Sequence, residues 1–124
     1  MVEGRNVNNA NKENMKLNEK RCVPCEGGMK PMGAAEVERY LGELGNGWAV
    51  LDGVKIRKEF LFKNFKEALS FVNKVGEIAE EEGHHPDIHH VSYKKVIIEF
   101  STHAISGLSE NDFIMAAKIE KERG

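Results

Sequence analysis

All five histidines of the chain fall between residues 84 and 103, as His84, His85, His89, His90 and His103. Imidazole is the one side chain whose ordinary pKa lets it both give and take protons near neutrality. The cluster opens with His84-His85-Pro86, directly after a helix-like segment stops at Gly83. Two or three imidazoles with one carboxylate suit a reaction that delivers one proton while removing another, each transfer contributing roughly 10²- to 10⁴-fold. No Ser or Cys stands in an elbow or beside a base at a helix start, as a covalent nucleophile would. Elimination or isomerisation by proton transfer therefore suits these residues better than hydrolysis through a covalent intermediate.

Adjacent side chains diverge, so His84 and His85 can share a pocket only if the backbone turns there. Pro86 fixes φ and biases His85 toward extended backbone, which supplies a rigid corner. His84 and His85 precede one predicted strand and His103 follows its hairpin partner. In an antiparallel hairpin those two positions meet at one end of the sheet, so the three imidazoles are expected to converge. Asp112, in the first turn of the last helix, lies near the same end. It has two readings from pattern alone: half of a helix cap with Ser109, or part of the site. His89 and His90 alternate across a strand, one outward and one packed. A metal site built from His84, His85, His89 and His90 is disfavoured, because an extended HH-x-x-x-HH run does not aim four nitrogens at one point.

Cys22 and Cys25 form a C-x-x-C pair followed by Gly27-Gly28 and Pro31. A loop-bound structural pair fits better than half of a zinc site, which lacks a second C-x-x-C, or a redox dithiol, which should open a helix after a strand.

The elements that must hold these residues are legible by periodicity. Val37, Tyr40, Leu41 and Leu44 make an apolar stripe over a helix at 34–44, stopped by Gly45-Asn46-Gly47. Trp48 to Leu51 is a short strand, Asp52-Gly53 a hairpin turn, and Val54, Ile56, Phe60 and Phe62 the buried side of a second strand. Asn64 with Glu67 is close to a capping box. It opens a long helix carrying Phe65, Ala68, Leu69, Val72, Val75 and Ala79 inward, with Gly83 as its stop. Ile88 to Tyr93 and Val96 to Thr102 form a second hairpin joined at Lys94-Lys95, with Val96, Ile98 and Phe100 on one face. Ser109 to Asp112 starts a last helix with Phe113, Ile114, Ala117 and Ile119 on one side. The order is α-β-β-α-β-β-α, and an α+β fold follows: a four-stranded antiparallel sheet with three helices packed on one face.

With 124 residues, 40 % of them hydrophobic and 31 % charged, the chain has the makings of one globular domain over residues 21–124. Residues 1–20 are rich in Asn and charged groups and are expected to form a flexible tail. A net charge of −2 offers no support for nucleic-acid binding. No apolar run approaches the roughly 18–20 residues needed to span a bilayer. No apolar segment follows Met1-Val2-Glu3-Gly4-Arg5 as in a signal peptide, so a cytoplasmic protein is expected.

The motifs together resemble those of the pterin-4a-carbinolamine dehydratase family. The resemblance rests on His84-His85-Pro86, Tyr93, Ser101-Thr102-His103 and Gly107-Leu108-Ser109 leading to Asp112. Cys22 to Gly28, Gly47-Trp48, Arg57-Lys58-Glu59-Phe60 and the run from Phe62 to Asn73 extend it across roughly residues 21–120. It implies dehydration of 4a-hydroxytetrahydropterin to the quinonoid dihydropterin, recycling the cofactor of aromatic amino-acid hydroxylases. His84 and His103 take the positions of the acid–base pair, and His85 that of a third, substrate-positioning histidine. Gly83, Pro86, Tyr93, Ser101 and Thr102 match segments of the pterin pocket, and Asp112 and Glu80 its acidic neighbours. Neither a metal nor an organic cofactor is implied, and homodimers or homotetramers are. Animal members also serve as dimerisation partners of a transcription factor, so a protein-partner role is the competing expectation. One departure stands out: animal members carry an aromatic residue where Ile88 stands and one residue fewer before the tyrosine.

Overall fold

A computed structural model of the chain describes residues 16–23, 30–45 and 47–123. The elements are α1 (Ala34–Leu44), β1 (Ala49–Leu51), β2 (Lys55–Leu61), α2 (Phe65–Glu82), β3 (Asp87–Val91), β4 (Lys95–Phe100) and α3 (Glu110–Arg123). Single 3-10 turns occupy Leu17–Glu19 and His103–Ile105. The strands form one antiparallel sheet in the order β1-β2-β4-β3. The predicted α+β order is therefore the observed one.

Local chemistry explains the joints. Asn64 accepts the backbone N–H of Glu67 at 2.8 Å and so satisfies one unpaired donor at the start of α2. The Glu67 carboxylate reaches back to the N–H of Lys63, at 3.4 Å, one residue beyond the position a capping box would use. Gly83 ends α2 in the left-handed region, φ 69°, its N–H closing on the Ala79 carbonyl. Glycine adopts that conformation without a Cβ penalty. Asp52 and Gly53 both have positive φ, 54° and 71°, at the centre of a turn that the Val54 N–H closes on the Leu51 carbonyl, with Leu51 paired to Lys55 across it.

The second hairpin turns earlier than expected. Val91 pairs with Lys95, so Lys95 already belongs to β4 and the turn is Ser92 to Lys94. Ser92 and Tyr93 take φ of 49° and 51°. Neither is a residue that advertises left-handed backbone; the twist of the flanking strands imposes it.

Ile56, Phe60, Val96, Ile98 and Phe100 bury one face of the sheet against Ala68, Phe71, Val75 and Ala79 of α2. Phe113, Ile114, Met115, Ala116 and Ile119 of α3 complete the core. Four expectations need correction. Val54 stays exposed, because the chain is still in the turn there and β2 begins only at Lys55. Phe65 and Leu69 stay exposed while Phe71 goes inside, because the helix meets the sheet along a stripe narrower than its apolar arc. The α3 helix is buried nearly all round from Asn111 to Ala116, being packed by α1, α2, β4 and the turn at 17–19, so no one-sided stripe describes it. Residues 1–15 of the expected tail lie outside the described residues, but Leu17 is only 5 % exposed and belongs to the core. A polar average over twenty residues hides a single apolar anchor.

Phe60 lies at the centre of this packing. Phe60→Ala is expected to lose about 3–5 kcal/mol, read as a lower urea midpoint at unchanged slope. An unchanged midpoint would remove Phe60 from the core.

Candidate active site

The site forms at the end of the sheet where β3 begins and β4 finishes. Counting back from the register Asp87↔Glu99 sets His84 across from Thr102. Gly83 breaks α2 one residue earlier, and the His84 N–H still bonds the Ala79 carbonyl at 3.2 Å. Pro86 then leads the chain into β3.

Asp112 is where the parts meet. Its side chain is fully buried, in the first turn of α3. Oδ1 accepts from His84 Nε2 at 2.6 Å. Oδ2 accepts the Thr102 hydroxyl at 2.8 Å and the Ser109 N–H at 2.9 Å. With the Thr102 proton committed to Asp112, the Ser109 hydroxyl donates to Thr102 Oγ1, at 2.7 Å. Asp112 therefore closes the carboxylate half of the helix cap and, with its other oxygen, holds a histidine. Its place at a helix N-terminus further favours its negative charge.

The His84 side chain is 13 % exposed, its ring nearly parallel to Phe100 with centroids 6.3 Å apart. With Nε2 committed to Asp112, Nδ1 is the nitrogen left to exchange a proton. This arrangement, an imidazole oriented by a buried carboxylate, is how a fold fixes tautomer and ring direction together. His85 turns the other way. Its Nε2 pairs with Glu80 Oε2 at 2.6 Å, both groups exposed, which orients the ring while adding little stability.

His103 opens the 3-10 turn beyond β4 rather than ending the strand. It is exposed, with no side-chain hydrogen bond among the described residues. It lines a cleft of about 350 Å³ with Val54, Ser101, Thr102, Ser106 and Gly107, near the lower end of the roughly 300–1,000 Å³ of small-molecule pockets. Backbone bonds of 2.8 and 3.4 Å join Thr102 to Gly107 and close this loop. A Cβ on Gly107 would stand 2.6 Å from Cβ of Pro31, so only glycine lets the chain return so tightly. His84 does not line the cleft. Thr102 connects the two, lining the cleft and bonding the carboxylate that holds His84.

The structure thus joins His84, Thr102 and Asp112 directly, with Ser101 and His103 beside Thr102 in the chain. His85 and Glu80 form a neighbouring pair, and Gly83 and Pro86 shape the corner. Tyr93 is not brought there. It sits exposed in the β3–β4 turn, beyond the five residues of β3, which is about 17 Å at the rise of a strand. His90 donates to the Tyr93 carbonyl at 2.7 Å and stacks on Phe65, while His89 faces Glu99 at 3.7 Å; the two do alternate. Among the described residues no group of three or more His, Cys, Asp and Glu could hold a metal ion. Cys25 lies outside the described residues, so the C-x-x-C reading remains an expectation. Pattern reasoning missed the Ser109 hydroxyl, and it passed over Glu82 and Asn111. Glu82 was hidden in a run of three glutamates that reads as a solvated helix end.

Residues 30–122 match the family model described as Pterin 4 alpha carbinolamine dehydratase. The chain belongs to this family. A relative from Alkaliphilus metalliredigens, provisionally named a pterin-4-alpha-carbinolamine dehydratase, is 49 % identical over 107 residues, covering 86 % of this chain and 96 % of that protein. One of the same provisional name from Rubrobacter xylanophilus is 50 % identical over 105 residues, covering 85 % and 96 %. A crystal structure titled transcriptional coactivator/pterin dehydratase, from Brucella melitensis, superposes with a TM-score of 0.71 at 31 % identity, covering 77 % of this chain and all of that one. The pterin carbinolamine dehydratase match takes in α1 to α3 and every histidine, and begins after Cys22.

Asp112→Ala leaves three donors without an acceptor and should cost about 3–5 kcal/mol. Thr102→Val, which removes one hydroxyl from the network, should cost about 1–2 kcal/mol. Urea titration of both measures this; an Asp112→Ala protein within about 0.5 kcal/mol of the parent would mean the carboxylate holds nothing together.

Proposed function

We propose that the chain is a hydro-lyase that converts a 4a-hydroxytetrahydropterin to the quinonoid dihydropterin and water, recycling the pterin cofactor of aromatic amino-acid hydroxylases in the cytoplasm. The observation that carries this reading is the His84–Asp112 hydrogen bond of 2.6 Å, in a chain of the carbinolamine dehydratase family. The reaction breaks the C4a–O bond and removes the N5 proton, leaving a C4a=N5 double bond. One imidazole of His84 and His103 delivers a proton to the departing hydroxyl, which leaves as water, and the other accepts the N5 proton. His85, held by Glu80, positions the pterin. Ser101 and Thr102, in the cleft beside His103, and the backbone at Gly83 and Pro86 contact the pterin. Both proton transfers can be served by imidazoles, so the reading calls for no metal or organic cofactor. Among the described residues no helix is long and apolar enough to cross a membrane, and the acidic balance gives nucleic acid no foothold.

The chemistry is tested by turnover of a carbinolamine generated in the assay. His84→Ala and His103→Ala should each lower kcat by about 10²-fold or more, and Asp112→Asn should follow His84→Ala because it releases the same ring. Parent-like rates in both histidine variants would overturn the role assignment. Tight pterin-independent capture of a protein partner by a chain that turns over no carbinolamine would favour the binding-module reading.

We also propose a homodimer or homotetramer. Leu61, Phe65, Leu69, Val91 and Tyr93 are all exposed. Leu61 and Val91 flank Lys95 in the sheet register, so large apolar groups gather at the sheet end away from His84, as at a surface meant to be covered. Light scattering should give two or four times the chain mass of 13.9 kDa. Leu61→Glu with Phe65→Glu should lower it, and a monomeric parent would remove this part of the proposal.

A further inference from the structure

Glu82 is the last residue of α2, two before His84, and its side chain is only 3 % exposed. Oε1 accepts the backbone N–H of Cys22 at 2.9 Å. Oε2 pairs with Arg21 Nε at 3.1 Å and faces Lys118 Nζ of α3 at 3.7 Å. Asn111 directly precedes Asp112. Its carboxamide makes a two-bond pair with one residue of the same early segment, accepting the Val23 N–H at 3.0 Å and donating to the Val23 carbonyl at 2.5 Å. Lys20 bonds Glu110 at 2.6 Å, and Lys118 donates to the Asn18 carbonyl at 3.1 Å.

The successive residues Glu110, Asn111 and Asp112 thus hold Lys20, Val23 and His84. The segment from Lys20 to Val23 is fastened on one side to the last residue of α2 and on the other to the first turn of α3. Those two helix ends carry the two members of the 2.6 Å histidine–carboxylate bond. Neither helix needs this segment to close its own backbone hydrogen bonds. A buried carboxylate and a carboxamide, completed by chain 60 and 88 residues away, instead fix the distance between the two ends. Misplacement by about 1 Å, even from a change far from the chemistry, can cost on the order of 10²-fold in rate.

We infer that Glu82 and Asn111 are positioning residues that set the His84–Asp112 geometry by clamping residues 20–23 across the ends of α2 and α3. The inference rests on the proposed dehydratase chemistry for its kinetic consequence, but not for its structural one.

The test uses the full chain with Glu82→Ala, Glu82→Gln and Asn111→Ala, read by the ¹⁵N NMR signals of the His84 ring and by steady-state dehydration of the carbinolamine. Glu82→Ala and Asn111→Ala should move the His84 ring signals and lower kcat about ten-fold, with KM within about two-fold of the parent. Glu82→Gln still accepts the Cys22 N–H and should recover part of both. Unchanged ring signals overturn the inference, whether or not kcat falls, because the effect would then not pass through His84. Shifted ring signals in a chain whose parent turns over no carbinolamine would sustain the clamp and sink the dehydratase reading alone. If Glu82→Ala does not fold, Glu82→Gln and Asn111→Ala provide the same two readouts, and unmoved ring signals in both overturn the inference.

Discussion

A carboxylate with no access to water constrains the whole end of the sheet at His84. Burying an ionised group is costly unless donors replace the lost solvent. Asp112 finds them on a helix-to-strand corner, a strand end and a helix start: His84, Thr102 and the Ser109 N–H. Each donor can serve only if its own element stands in the right place. Satisfying one charge therefore fixes where α2 stops, where β4 ends and where α3 begins. The imidazole is held by the same requirement.

Backbone devices support this arrangement as well. Gly83 takes a left-handed conformation so that α2 can end and His84 can leave its axis. Gly107 lets the loop after His103 fold back against Pro31 and bond Thr102. The antiparallel pairing of β3 with β4 brings the start of one strand to the end of the other. Below them Phe100 belongs both to the core and to the wall against which the His84 ring lies. A site built on a packed sheet edge inherits the rigidity of the core, and rigidity is what holds a proton donor or acceptor in line.

Features decided within a few residues were legible in the chain. The start of α2 at Asn64, its stop at Gly83, the Asp52-Gly53 turn and the alternation of Val96, Ile98 and Phe100 all depend on neighbours three or four positions away at most. What depended on distant partners was misjudged. The sequence offered no partner for Lys58, which lies on the buried face of β2 with its ammonium paired to Glu120 and 4.9 Å from the Phe60 ring centroid. Trp48 donates to the same carboxylate at 3.0 Å. Phe65 and Leu69 look like core residues and are not, and Leu17 looks like tail and is not, because only the packed helices decide which apolar group is covered. The turn at Ser92 to Lys94 follows from strand twist, which no residue type there announces.

By itself the sequence determined the order of elements, the single-faced sheet and the corner at His84-His85-Pro86, and hairpin geometry set His84 across from Thr102; of the three imidazoles expected to converge, His85 turns instead to Glu80. It left Asp112 suspended between cap and site. Tertiary structure decided that Asp112 caps α3 and holds His84 at once, that His85 belongs with Glu80, that Tyr93 lies at the other end of its hairpin, and that Glu82 and Asn111 reach back to residues 22 and 23. The physical reason is range. Periodicity and caps are written in backbone hydrogen bonds between near neighbours. The partners of a buried charge are chosen by which elements the core brings together, and only the folded chain contains that choice.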